Sequence, residues 1–358
     1  MGHGEKTAEA GVRSYRVAVI PGDGIGPEVV AEGLRVLRRA AGLHGFGLEL
    51  ELLPWGSAHY DRHGVMMPPD ACEQLRGFQA IYFGAVGRPD LPDSLTVWGL
   101  ILPIRRQLDL YVNLRPVRLL PGVNGPLRAP TGEIDFTFVR ENTEGEYAGI
   151  GGRQGVGEHE LAVQTGIFSR RGIERVVEYA FSLARPGQRL TSVTKSNALQ
   201  HAFVLWDEVA LAVARRHPEV RYERMHVDAV AYGMVKNPGR FDVLVGSNLF
   251  GDILTDLGAA LQGSLGLATS ANLNPQSGLA LFEPVHGSAP DIAGQGVANP
   301  LGAVGCASLL LGHLGEQQAA RAVQGAIETV LLRGVHTPDL GGTATTSGVG
   351  DALLAALG

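Results

Sequence analysis

The chain has 358 residues, of which 45% are hydrophobic and 18% charged; at roughly 150 residues per domain this length points to two domains or one large α/β unit and excludes a disordered chain. A formal net charge of −6 lacks the basic stripe that nucleic acid or an anionic membrane surface requires, so neither is expected as a partner. Fifty glycines, about twice the ordinary share of ~7% and without a collagen period, belong in turns, helix ends and close backbone approaches.

In chain order, Met1 to Ser14 is polar and glycine-rich and reads as a frayed terminus without the apolar core of a secretory signal. Val17 to Ile20 reads as a buried strand ended by Pro21-Gly22-Asp23-Gly24-Ile25-Gly26-Pro27. Behind it, Val30, Leu34, Leu37 and Ala41 fall at helical spacing, with Pro27 suited to the first turn. Further strands are expected over Ala80 to Val86, Ile134 to Val139, Leu190 to Thr194, Val220 to Val227, Phe241 to Val245 and Leu279 to Phe282. Helices are expected over Arg170 to Leu183, Leu199 to Arg216, Gly251 to Ala260, Ala303 to Leu314 and Gln317 to Leu332. This alternation is α/β architecture. No linker divides the chain, so a domain assembled from two separated segments is compatible with it. No run reaches the ~18 apolar residues of a membrane span. Cys72 and Cys306 stand too far apart in sequence for a disulfide framework, which fits a reducing cytoplasm.

Several segments carry chemistry, each with a plainer reading beside it. Gly24 and Gly26 supply G-x-G after a strand, but Val29 replaces the third glycine, and no acidic residue ends a second strand about twenty residues on. A structural turn is the other reading. Asp252 and Asp256, four apart behind a Ser247 or Asn248 N-cap, project from one helix face, where a cation between them would relieve their repulsion. Hard oxygen donors without His or Cys select Mg2+ or Mn2+; alternatively Asp252 favours the helix dipole and Asp256 faces water. Arg105, Arg106, Arg115, Arg118 and Arg140 are a concentration of guanidinium groups in an acidic chain. They suit a di- or trianionic substrate, or ordinary ion pairs with Asp109 and Glu141. Lys195 follows one strand and Asp228 ends another, where open α/β sheets build sites, and Tyr147 is a candidate proton donor. No G-x-S-x-G, Walker loop or H-E-x-x-H occurs.

Taken together, the segments from about Arg16 onward resemble the decarboxylating β-hydroxyacid dehydrogenases, the isocitrate and 3-isopropylmalate dehydrogenase family. The resemblance rests on Ile20 to Glu28, Asn113-Leu114-Arg115-Pro116, Arg140-Glu141-Asn142, Asn248 to Asp256 and Glu283 to Asp291. It implies two α/β domains around a mixed sheet, unlike a standard Rossmann fold: a large cofactor-binding domain from 1–110 plus 263–358, and a small domain, 111–262, with substrate and metal residues and the dimer interface. It further implies a homodimer with shared sites. Asp252 and Asp256 match metal ligands of one subunit, and Lys195 and Asp228 match residues reaching in from the other, Asp228 also as a ligand. Arg105, Arg115 and Arg140 match the substrate clamp, and Tyr147 the group that reprotonates the product. His286, Gly287, Ser288, Ala289, Asp291 and Asn299 match cofactor contacts, with Asp291 placed to favour NAD by repelling a 2′-phosphate. The cofactors implied are NAD, Mg2+ or Mn2+, and a monovalent cation such as K+.

Within the family, Trp98-Gly99, Tyr111-Val112-Asn113, Asn142 to Tyr147 and Ser270 to Pro275 look most like the tartrate and D-malate dehydrogenase branch. An indole at Trp98, with Ile101, is expected to fill the space of a γ-substituent and leave room for a C4 diacid. Leu100, Pro103 and Ala231-Tyr232-Gly233-Met234 depart from that branch. Leu100, Ile101 and Leu102 equally suit an isopropyl group, which keeps 3-isopropylmalate as the alternative, with isocitrate and homoisocitrate behind it. A non-catalytic nucleotide-binding α/β protein is the reading from another class.

Overall fold

A computed structural model describes residues 13–127 and 132–358. The terminus expected to be frayed lies outside the described residues through position 12, and the first strand starts at Ser14.

β1 (Ser14–Gly22) turns into α1 (Gly26–His44), followed by β2 (Gly47–Leu52), the short helices α2 (Ser57–His63) and α3 (Ala71–Leu75), β3 (Ala80–Ala85), and the consecutive helices α4 (Asp93–Gly99) and α5 (Ile101–Gln107). The middle of the chain supplies β4 (Val112–Arg118), β5 (Asp135–Glu141), the hairpin strands β6 (Gly145–Gln154) and β7 (Leu161–Ile167), α6 (Arg170–Leu183), β8 (Arg189–Thr194), α7 (Ala202–Ala214), β9 (Arg221–His226), α8 (Val227–Lys236), β10 (Val243–Gly246) and α9 (Asn248–Leu261). The chain then returns through β11 (Thr269–Leu273) and β12 (Ala280–Pro284) to α10 (Leu301–His313), α11 (Gln317–Leu332) and α12 (Thr346–Leu357).

Ten strands form one mixed sheet in the order β2-β1-β3-β12-β11-β4-β5-β10-β8-β9, while β6 and β7 pair alone. Both flanks are parallel, and the centre, from β12 through β11 and β4 to β5, is antiparallel. Strands from the two ends of the chain make one half of the sheet, and strands from its middle make the other. Parallel strands buried on both faces explain the unbroken apolar runs. Val17 and Val19 of β1 join the core under α1, α10 and α11, whereas Ala18 and Ile20 join a second core under α3 and α5.

Several expectations differ from the structure. Helix α9 begins at Asn248 rather than Gly251, so Asp252 sits beyond the first turn, where the helix dipole does little for it. Strand β9 stops at His226, and Asp228 lies in the first turn of α8 instead of ending a strand. Helix α7 is shorter than the apolar pattern, ending at Ala214. Strand β4, unseen in the sequence because it carries Pro116, tolerates that proline because β11 pairs only with residues 112–114.

In the half built from the middle of the chain, Trp206 is 1% exposed and its Nε1 donates to Ser192 Oγ at 3.0 Å. Trp206→Ala should lower the unfolding free energy by about 3–5 kcal/mol through the cavity it leaves. A urea titration would show this as a lower midpoint at an unchanged slope.

Candidate active site

The turn after β1 is a joint between segments. The Asp23 carboxylate accepts hydrogen bonds from Ser57 N and Ser57 Oγ at 2.8 Å and from Gly87 N at 2.9 Å. Gly24 has φ +58°, and a Cβ there would lie 1.9 Å from the Ser288 carbonyl oxygen. With its carboxylate and backbone so engaged, this turn follows the structural reading.

The two halves of the sheet enclose a cavity of about 280 Å3. Its floor is the antiparallel centre of the sheet. Ser270 faces Glu283 across β11 and β12, and Asn272, Asn113 and Arg140 are successive cross-strand partners in the adjoining row. Helix α9 lies close over β5 because a Cβ on Gly251 would meet the Arg140 side chain at 2.7 Å. From the other half, α5 turns Ile101 and Leu102 inward with Arg105, and Val97 of α4 completes an apolar wall.

Arg140, 3% exposed, places Nη1 on Asp252 Oδ1 and donates from Nε and Nη2 to Asn248 Oδ1 at 3.0 and 2.7 Å. Arg115 Nη1 donates to Thr255 Oγ1 at 2.5 Å, and its guanidinium lies 3.6 Å from both Asp252 and Asp256. Arg105 Nη2 donates to Glu283 Oε1 at 2.5 Å. Tyr147 OH donates to Asp252 Oδ2 at 2.8 Å. Among the cavity-lining residues, three guanidinium groups face two carboxylates, Asp252 and Glu283, leaving an excess of one positive charge. An anion is the ligand that balances it.

Burial, reinforced by the charge of Arg115, pushes Arg140 down from the ordinary arginine value, and burial does the same to Arg115. Both start so high that they stay protonated. Burial alone would raise Asp252, but Arg140 and Arg115 outweigh it and hold the carboxyl below its usual range. Asp256 is raised by burial, assisted by Asp252. The Tyr147 phenol is raised by burial first and by the Asp252 charge second, so it carries its proton at neutral pH.

The arginine concentration thus divides. Arg105, Arg115 and Arg140 converge, whereas Arg118 pairs with Glu328 at 2.8 Å and Arg106 lines a separate groove with Trp98. Asp109 and Glu141, the alternative partners, are used elsewhere: Asp109 accepts from Arg175 at 2.7 and 2.9 Å, and Glu141 from Thr143 and Glu144. Trp98 stands outside the cavity. The break between α4 and α5 turns Val97 and Ile101 inward, and the indole lies against the Gly149 backbone, 38% exposed.

Lys195 and Asp228 meet each other, Nζ to Oδ1 at 2.5 Å, away from the cavity, and the lysine holds the Asp228 carboxyl below its usual range. Among the described residues, no three His, Cys, Asp or Glu side chains gather closely enough to hold a metal ion. Asp252 and Asp256 nevertheless share one face of α9, and two carboxylates at that spacing are the donor chemistry that suits a divalent cation.

At the other end of the cavity, His286 Nδ1 lies 2.9 Å from the Gly287 carbonyl oxygen, and Nε2 is buried without a partner. Burial lowers the imidazole pKa, which favours the neutral ring. Space above Gly287 is open, with no atom within 4 Å of a Cβ built there, and Ala289 follows at φ 40°. Asp291 is exposed and Ser288 half-buried. Asn299 is engaged at both ends of its amide, donating to Asp339 at 2.9 Å and accepting from Leu301 N at 3.0 Å. An orphaned ring nitrogen beside open glycine backbone fits a ligand carrying its own hydrogen-bonding ring. Sequence reasoning missed Glu283, Asn248 and Thr255 as partners of the arginines. Glu283 opens the segment that runs to Asp291 and Asn248 precedes the aspartates, but only the fold pairs them with guanidinium groups.

Residues 16–353 match the isocitrate/isopropylmalate dehydrogenase family. The chain is 52% identical over 354 residues to D-malate dehydrogenase [decarboxylating] of Escherichia coli (strain K12), covering 96% of this chain and 98% of that protein. It is 49% identical over 353 residues to tartrate dehydrogenase/decarboxylase of Pseudomonas putida, covering 95% and 97%. The crystal structure of isocitrate dehydrogenase from Methylococcus capsulatus superposes with a TM-score of 0.87 at 34% identity, covering 96% of this chain and 99% of that one.

Proposed function

The chain belongs to the isocitrate/isopropylmalate dehydrogenase family, and from that premise we propose that it oxidises and decarboxylates a small 2-hydroxy diacid, D-malate or a tartrate, with NAD as hydride acceptor. One observation carries the reading: the buried Arg115 and Arg140 and the half-buried Arg105 converge with Asp252 and Tyr147 in a cavity of about 280 Å3, the charge and size suited to a C4 dianion. We assign cofactor binding to 1–110 plus 263–358, and substrate and metal residues to 111–262.

In this reading Arg105, Arg115 and Arg140 hold the two carboxylates and orient C2. Asp252 and Asp256 would hold Mg2+ or Mn2+, which when bound acidifies the substrate hydroxyl and stabilises negative charge at the carbonyl it becomes. Lys195 and Asp228, distant from their own cavity, serve the site of a second copy in a homodimer, where Lys195 takes the hydroxyl proton and Asp228 adds a ligand. NAD, when bound, would accept the hydride from C2, leaving a β-keto acid that can lose CO2. Tyr147 then gives its proton to the carbon that lost it. His286, Gly287, Ser288, Ala289 and Asn299 receive the cofactor, and the exposed Asp291 carboxylate disfavours a 2′-phosphate.

The apolar wall of Val97, Ile101 and Leu102 supports the second reading, 3-isopropylmalate. A panel of D-malate, the tartrates, 3-isopropylmalate, isocitrate and homoisocitrate, followed at 340 nm with NAD and NADP, separates them. The highest kcat/KM is expected for D-malate or a tartrate with NAD, abolished by EDTA and restored by Mn2+. A preference for 3-isopropylmalate would install the second reading. Absence of any absorbance change would favour a non-catalytic nucleotide binder.

A further inference from the structure

Below the arginines lies a buried row of amides to which the reaction described above gives no role. Asn272 of β11 and Asn113 of β4 are cross-strand partners at the boundary between the halves of the sheet. Asn272 Oδ1 accepts from Asn113 Nδ2 and Asn142 Nδ2, each at 2.9 Å, and Asn272 Nδ2 donates to Glu283 Oε1 at 2.7 Å. The same Glu283 oxygen receives Arg105. The amide orientation is dictated by the chemistry, because only Nδ2 can face a carboxylate while Oδ1 faces two donors. Asn272 and Asn113 are 0% exposed and Asn142 4%.

A fully buried sheet face is ordinarily apolar, since each polar group there must find a partner or cost stability. This patch is polar and joined, and such networks hold their members in one geometry. Asn272 is its node. Toward β12 it fixes the oxygen on which Arg105 rests. Toward the other half it gathers Asn113, the register partner of Arg140, and Asn142, which follows β5.

We propose that Asn272 is a positioning residue that sets the Arg105 arm of the substrate clamp through Glu283 and keeps it in register with the strands bearing Arg115 and Arg140. The inference rests on the reading of Arg105 as a ligand of the substrate carboxylate. A clamp grips substrate and transition state alike, so its misplacement appears in KM rather than kcat.

Two variants and a mutant cycle test it. Asn272→Asp keeps the shape and the acceptor for Asn113 and Asn142 but sets a carboxyl against Glu283, so that the two share one proton and the charge on which Arg105 rests is redistributed; Asn272→Leu removes donor and acceptor alike. Each should raise KM for the preferred diacid by roughly tenfold or more, the scale of one hydrogen bond to a charged group, with kcat within about twofold. In a Glu283→Ala background, Asn272→Leu should change KM by less than about twofold, because the group through which it acts is gone. Unchanged KM in Asn272→Asp, or an equal increase with and without Glu283, would overturn the proposal. Should Asn272→Leu not fold, the isosteric Asp variant decides. Should the wild type turn over no diacid, the activity reading fails instead, and the same ratios, read as calorimetric Kd for D-malate, still decide the role of Asn272.

Discussion

Asp252→Asn should lower kcat/KM for the preferred diacid by about three orders of magnitude while the protein remains folded. The carboxylate has two distinct oxygens in use, one on the buried Arg140 guanidinium and the other accepting from Tyr147 OH at 2.8 Å, with Arg115 3.6 Å away. Asparagine keeps the volume but loses the charge. One of its two positions becomes a donor that Arg140 cannot accept, so it must face Tyr147, whose hydroxyl then accepts where it had donated. Loss of a single aligned electrostatic group costs about 10²–10³ in rate, and an uncompensated guanidinium adds several kcal/mol when buried. Asp256, 64% exposed and 3.6 Å from Arg115, has no direct contact with Arg140 or Tyr147, so Asp256→Asn should cost less than Asp252→Asn. Steady-state kinetics on both variants, with circular dichroism to verify folding, provide the comparison. A loss below tenfold for Asp252→Asn would remove Asp252 from the centre of the site.

The second large effect is expected at Tyr147. Its phenol is neutral because burial and the adjacent Asp252 charge raise its pKa, leaving a proton available for transfer at pH 7. Tyr147→Phe keeps the ring beneath Arg140, whose guanidinium carbon lies 5.6 Å from its centroid, so the contact between cation and ring persists. Only the hydroxyl is lost. General acid catalysis is worth about 10²–10⁴ in rate, and steady-state turnover should fall by that amount. Oxidation precedes reprotonation, so a rapid burst approaching one NADH per site should survive in stopped-flow traces. A burst lost together with turnover would place Tyr147 in the hydride step, and near-normal turnover would show that the hydroxyl is dispensable.

Much of this protein is determined by short-range pattern. Val17 to Ile20, the loop from Pro21 to Pro27 and the spacing of Val30, Leu34 and Leu37 specify a strand, a turn and a helix because neighbours in sequence decide backbone geometry and which face is apolar. Motifs as long as Asn248 to Asp256 and Glu283 to Asp291 likewise identify the family, since each keeps several groups on one rigid turn or helix face. The pairing of those motifs is a tertiary fact. That Asn272 rests on Asn113 follows from the strand order β12-β11-β4-β5, while Arg140 meets Asp252 and Arg105 meets Glu283 where α9 and α5 lie against that sheet, each pair joining residues more than a hundred positions apart. Even the direction of Trp98 is tertiary, because a break between two short helices aims Val97 into the cavity and the indole at Gly149. Sequence thus determined which chemical groups this protein possesses and the local frame that carries each one. Only the folded sheet decided which of them touch, because long-range register sets those distances and burial sets their charges.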